Sequence, residues 1–173
     1  MRHVISVLVE NKFGVLARIA GLFSGRGYNI ESLTVNSTEK PEVSLMTIVT
    51  YGDDKIIEQI IKQLRKLINI LKVRDLTSYN HLERELILIK ISSSHKTRTD
   101  LFNIINTFRG KVIDLNADSM IVEITGDNDK LAAFIEVIEP YGIVEMIRSG
   151  SLAIGRGSKL TSEMEKIKSS TNR

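Results

Sequence analysis

Two stretches of this chain carry the same order of secondary-structure signals, and an internal repeat constrains a fold more tightly than any compositional figure. In the first stretch, His3 to Val9 has apolar residues on both parities, which predicts a strand buried on two faces. Asn11 to Gly14 reads as a turn. Val15, Leu16, Ile19, Ala20, Leu22 and Phe23 then recur at helical spacing, and Gly25 and Gly27 follow as C-cap glycines do. Asn29 to Val35 and Val43 to Tyr51, joined by the turn chemistry of Ser37 to Pro41, predict a hairpin. Asp53 or Asp54 supplies an N-cap for a helix marked by Ile56, Ile57, Ile60, Ile61, Leu64, Leu67 and Ile68, and Ile70 to Leu76 closes the unit as a fourth strand.

The order then recurs. Glu85 to Ser92 reads as a strand, Thr97 to Arg109 as a helix ended by Gly110, and Lys111 to Leu115 with Ser119 to Thr125 as a hairpin. Asp127 or Asn128 caps a helix carrying Leu131, Phe134, Ile135 and Ile138, and Gly142 to Arg148 is the last strand. The expectation is an α+β chain of two ferredoxin-like βαββαβ units, each an antiparallel sheet with both helices on one face. The first unit is expected over 2–78 and the second over 82–157. A polar tail, expected to be mobile, follows over 158–173.

Composition narrows the chemistry. The 173 residues include no Cys, which excludes disulfides, a thiolate nucleophile and a zinc knuckle. His3, His81 and His95 stand far apart and in no paired spacing, so no metal site is expected. The apolar run after Met1 is too short to span a bilayer and lacks a cleavage site, so neither a targeting segment nor a membrane helix is expected. The chain is basic overall, yet residues 1–147 hold 18 basic and 19 acidic side chains, so the excess belongs to the C-terminal end. RNA reading through such a sheet needs stacking aromatics on the middle strands, and Ser6, Leu8, Ser44, Met46 and Ile48 are none. No serine or threonine has a histidine base and an orienting acid near it in sequence, which disfavours a self-contained enzyme.

One segment resists dismissal. Asn11-Lys12-Phe13-Gly14 lies between the first strand and the first helix, where free backbone N–H groups and the positive end of the helix dipole meet. Such a place holds carboxylates. Gly14 admits a ligand close to the backbone, and the Asn11 amide both accepts and donates. The bland alternative is an ordinary cap and an ordinary turn glycine. In the strand order 4-1-3-2 usual for this fold, Asn29 to Val35 is an edge strand with Ile30, Leu33 and Val35 against a single charge, Glu31. Two-fold pairing of that edge with its copy would give an eight-stranded sheet and bring Asn29 of one subunit near the Asn11 loop of the other.

The residues that carry these features also resemble a known family. ISVLVENKFGVLARIAGLFSGRGYNIESLTV, followed by LMTIVTYGDDKIIEQIIKQLRKLINILKV, is similar to the N-terminal ACT domain of the regulatory (small) subunits of acetolactate synthase, also called acetohydroxyacid synthase. REL, LIKI, FRGKVIDL and the closing RSG resemble the C-terminal domain of the same family, so the resemblance covers about residues 2 to 157. It implies a noncatalytic subunit that dimerises through its ACT domain and binds the large catalytic subunit, raising its activity. It also implies feedback inhibition by valine or another branched-chain amino acid in valine, leucine and isoleucine synthesis. The effector residues carried over by motif are Asn11, Gly14, Val15 and Leu16, with Asn29 and Ile30 from the partner. No cofactor is implied in this chain; thiamine diphosphate, magnesium and FAD belong to the catalytic subunit. Neither nucleic acid nor membrane is an implied partner, and a prokaryotic cytoplasm or a plastid stroma suits the resemblance. A free-standing ACT-type amino-acid sensor acting on a different enzyme would keep the same N-terminal site.

Overall fold

The computed structural model describes residues 1–157, so the expected tail lies outside the described residues. The element order is β1 (Arg2–Glu10), α1 (Val15–Ser24), β2 (Ser32–Ser37), β3 (Val43–Tyr51), α2 (Asp54–Leu64), β4 (Ile70–Asp75), β5 (His81–Ser92), α3 (Arg98–Thr107), β6 (Lys111–Leu115), β7 (Ser119–Gly126), α4 (Asn128–Ile138), β8 (Ile143–Arg148) and β9 (Leu152–Gly155), with one 3₁₀ turn at Glu139–Tyr141. Contacts group Met1–Leu82 with residues 151–157 as one unit and Glu83–Gly150 as another.

In the first unit the sheet order is β2-β3-β1-β4, which leaves β2 on an edge as expected. The β1–β3 ladder runs without a break from Arg2 opposite Tyr51 to Glu10 opposite Val43. Alternation assigns the faces: Ile5, Val7, Val9, Met46, Ile48 and Val73 meet Ile19 and Phe23 of α1 and Ile57, Ile60 and Leu64 of α2 in one core. The other parity explains why β1 reads as apolar throughout, since Val4 packs with Val49, Leu76 and Ala153. Ala153 belongs to β9, a strand the sequence reading does not contain. Its short LAIG run abuts the polar tail and carries no turn or alternation signal. Ser151 N–H donates to Ser32 Oγ at 3.1 Å and Arg156 N–H to the Asn80 carbonyl at 2.8 Å, which fastens this return to the unit.

Two boundaries differ from the periodicity. Helix α2, capped by Asp53 Oδ1 accepting from Ile56 N–H at 2.8 Å, stops at Leu64 although the apolar pattern runs to Ile68. Successive short turns, Lys66 N–H to Gln63 O, Leu67 N–H to Leu64 O and Ile70 N–H to Leu67 O, swing the chain back toward β4 and leave Ile68 93% exposed. Strand β2 begins at Ser32, so Asn29 and Ile30 precede it as irregular chain and do not open it.

The second unit repeats the order β6-β7-β5-β8. Ile87, Ile89, Ile91, Met120, Val122 and Ile124 face Leu101, Ile105, Leu131, Phe134 and Ile138. Asp127 caps α4, accepting from Lys130 N–H at 2.9 Å. Glu85, nearly buried, takes a two-point hydrogen bond from Arg148 at 2.9 and 2.7 Å, which ties β5 to β8. Gly110 after α3 serves close packing, because a Cβ there would meet Ile105 Cγ2 at 3.1 Å and Val122 Cγ1 at 3.3 Å.

Candidate functional site

The crossing from β1 to α1 is held from the strand side. Asn11 N–H donates to the Glu42 carbonyl at 2.7 Å, and Asn11 Nδ2 donates to the Pro41 carbonyl at 2.8 Å. One Asn11 amide hydrogen is thereby spent on the β2–β3 turn, and its Oδ1 stays available as an acceptor at the surface. Beneath the loop, Glu10 Oε2 accepts from Asn69 Nδ2 at 2.6 Å and pairs with Lys12 Nζ at 3.1 Å, while Arg18 donates to Asn69 Oδ1 at 2.8 Å. These contacts fix where the helix starts.

Asn11 is therefore not the helix cap. Gly14 is, with φ 80 and ψ −5, a left-handed conformation that side chains rarely adopt. No side chain caps α1 and its first turn holds no acid. Val15 N–H reaches back to the Lys12 carbonyl at 3.3 Å, so the amides of Leu16 and Ala17 face outward without an intrahelical acceptor. A Cβ built on Gly14 would meet nothing within 4 Å, which leaves the approach open. The Val15 side chain belongs to the core at 5% exposure, and Leu16, at 42%, and Phe13, fully exposed, are the apolar side chains open at this entry. Open amides at a positive helix end are groups that favour a carboxylate.

Asn29 and Ile30 lie elsewhere in the chain. Asn29 is exposed, Ile30 is half-buried against the core, and Glu31 N–H donates to the Val49 carbonyl at 2.9 Å. Asn11 is bonded beside Val43 and Asn29 beside Thr50, so the two lie at opposite ends of β3. Seven residues of strand, roughly 23 Å at 3.3 Å per residue, separate those ends. One chain thus brings together Asn11, Gly14, Val15 and Leu16 and holds Asn29 and Ile30 apart from them. Sequence reasoning misses Thr50, whose hydroxyl donates to the Asn29 carbonyl at 2.6 Å; no motif signals a contact 21 residues apart.

The fold is thus two ferredoxin-like units, the first a split βαβ sheet with an uncapped entry to its first helix and a regularly paired edge strand. Comparison with known proteins narrows the class. Residues 5–72 match the AHAS small subunit-like ACT domain, and residues 84–157 match a family described as the small subunit of acetolactate synthase. The probable acetolactate synthase small subunit of Archaeoglobus fulgidus is 52% identical over 92% of this chain and 99% of its own length. The acetolactate synthase small subunit of Aquifex aeolicus is 50% identical over 94% of this chain and 85% of its own length. The crystal structure of the acetolactate synthase small subunit from Thermotoga maritima aligns with a TM-score of 0.83 at 40% identity, over 91% of this chain and 99% of that one. The chain belongs to the acetolactate synthase small-subunit family. Among the described residues no helix is long and apolar enough to cross a membrane, and no cluster of His, Asp and Glu is placed to hold a metal ion.

Proposed function

We propose that this chain is the noncatalytic regulatory subunit of an acetolactate synthase. In this reading it binds and activates the catalytic large subunit and carries feedback inhibition by valine at a site shared between two copies. One observation supports the shared site above the rest: the two halves of the motif sit at opposite ends of one edge hairpin. Antiparallel pairing of β2 with its copy lays the start of one β2 beside the end of the other, and so sets Asn29 and Ile30 of the partner next to the loop at Asn11. The ligand's carboxylate then takes the Leu16 and Ala17 amides, its ammonium takes Asn11 Oδ1 and the partner's Asn29, and its isopropyl group rests on Leu16 and the partner's Ile30. An apolar contact of this size separates ligands differing by one methylene by only about 1 to 3 kcal/mol, so leucine and isoleucine compete with valine.

In this reading thiamine diphosphate, magnesium and FAD belong to the catalytic subunit, in a prokaryotic cytoplasm or a plastid stroma, and this chain acts on that subunit's rate. Co-expression with the catalytic subunit tests the reading. The chain should copurify with it, raise its turnover of pyruvate, and make that turnover sensitive to valine. Valine binding without copurification would favour a free-standing ACT-type sensor acting on another enzyme.

A further inference from the structure

The Asn29–Ile30 half of the site has no regular structure of its own, yet an exposed polar side chain and a half-buried apolar one must be presented at fixed angles to a ligand held by another subunit. The segment is pinned on either side: Tyr28 N–H donates to the Phe23 carbonyl at 3.0 Å, its ring meets Phe23 edge-on at 6.5 Å, and Glu31 N–H donates to the Val49 carbonyl at 2.9 Å. Between these points, the peptide joining Asn29 to Ile30 is gripped through its carbonyl by Thr50 Oγ at 2.6 Å. Thr50 is 1% exposed and lies in the β1–β3 ladder opposite His3, so its backbone cannot follow the segment if the segment moves. A buried hydroxyl needs an acceptor, and this one has the carbonyl whose plane sets both ψ of Asn29 and φ of Ile30.

We propose that Thr50 is a positioning residue for effector binding: from inside the sheet it fixes the peptide plane that aims Asn29 and Ile30 across the subunit boundary. The inference rests on the shared-site reading above and deepens it. Thr50 touches no ligand. Its contribution is to remove alternative orientations of a short irregular segment before binding, so its loss should appear in effector affinity and leave activation of the catalytic subunit intact.

Thr50→Val keeps the shape and β-branching and removes the donor. In the reconstituted holoenzyme the valine concentration for half inhibition should rise about threefold to tenfold, the range a single net hydrogen bond supports. Maximal activation should stay at the wild-type level. Thr50→Ser restores the hydroxyl and should return half inhibition to within about twofold of wild type. Thr50→Ala carries the same expectation as Thr50→Val if the valine variant does not assemble. Amide exchange supplies a readout free of ligand: peptides covering Tyr28 to Glu31 should exchange faster in Thr50→Val, while those within β3 keep their protection. Asn29→Ala runs alongside. If Asn29→Ala shifts inhibition and Thr50→Val does not, the positioning role is wrong and the site stands. If neither shifts it, the shared site is wrong and the proposal falls with it. Unchanged exchange at Tyr28 to Glu31 would also overturn it.

Discussion

The two units share an element order and differ where their first strand enters their first helix. In the first, Gly14 takes a left-handed turn and the leading amides of α1 stay open. In the second, Ser94 and Thr97 close on one another, Ser94 N–H to Thr97 Oγ at 3.0 Å and Thr97 N–H to Ser94 Oγ at 3.3 Å. Arg98 donates to Ser93 Oγ and to the carbonyls of Asn116 and Ala117 at 2.8 and 2.9 Å, beside a cavity that Ser93, His95 and Thr97 line. The edges differ too. β2 pairs regularly with β3 along its whole length, whereas β6 is broken by a register shift between Val112 and Asp114. A bulged edge resists addition of another strand. One fold thus appears once with a left-handed glycine, no acid in its first helical turn and a regular edge, and once with a Ser–Thr loop, Asp100 in that turn and a bulged edge. On the proposed function, the unit with no acid at its helix entry and with a regular edge strand is the one suited to a carboxylate and a second copy.

The largest effect expected from this contrast is at Gly14. Gly14→Asp is strained by φ of 80 at a cost of about 1 kcal/mol but should fold, because its Cβ meets nothing and a carboxylate before a helix N-terminus is favourable. It should nevertheless place a negative charge where the ligand's carboxylate must sit and weaken valine inhibition roughly 100-fold or more. Activation of the catalytic subunit should survive. The matched change in the second unit, Thr97→Ala, removes the acceptor of Ser94 N–H and should cost about 1 kcal/mol in thermal or denaturant unfolding while leaving the valine response where it was. A valine-sensitive Gly14→Asp holoenzyme would break the contrast at its strongest point.

A smaller effect is expected at the edge. Thr34 lies near the middle of β2, where a two-fold axis would set it close to its copy, so Thr34→Lys should weaken self-association about fivefold by sedimentation, from like charges facing across the pair. Lys111→Thr on β6 should change association not at all. Equal effects at the two edges would remove the distinction between them.

Much of this was legible in the residues, and the parts that were not share a cause. Element order, the capping acids Asp53 and Asp127 and the Asn11–Gly14 loop all follow from local chemistry: period, turn residues and cap preferences act within a few positions, and strand order follows from the fold class that this element order implies. The end of α2 was not legible, because Leu67 and Ile68 continue its apolar period while tertiary turns redirect the chain. β9 was not, because four residues gain strand character only from what they pack on, Ala153 against Val4, Val49 and Leu76. Within the candidate site, the Asn11–Gly14 loop is a local feature and could be placed in advance. Thr50 is tied to Asn29 through the sheet alone, and the separation of Asn29 from Asn11 along β3 becomes visible only once the ladder register is known.

That separation makes the central claim testable in one measurement. Dimers assembled from one Gly14→Asp chain and one Asn29→Ala chain, selected by two different affinity tags, carry one lesion in each subunit. If the site is shared, both lesions fall on one site of the dimer and the other is untouched. Calorimetry should then show valine binding at wild-type affinity with half the wild-type stoichiometry. If each site were built within a single chain, both would be damaged, and no wild-type-affinity binding would remain.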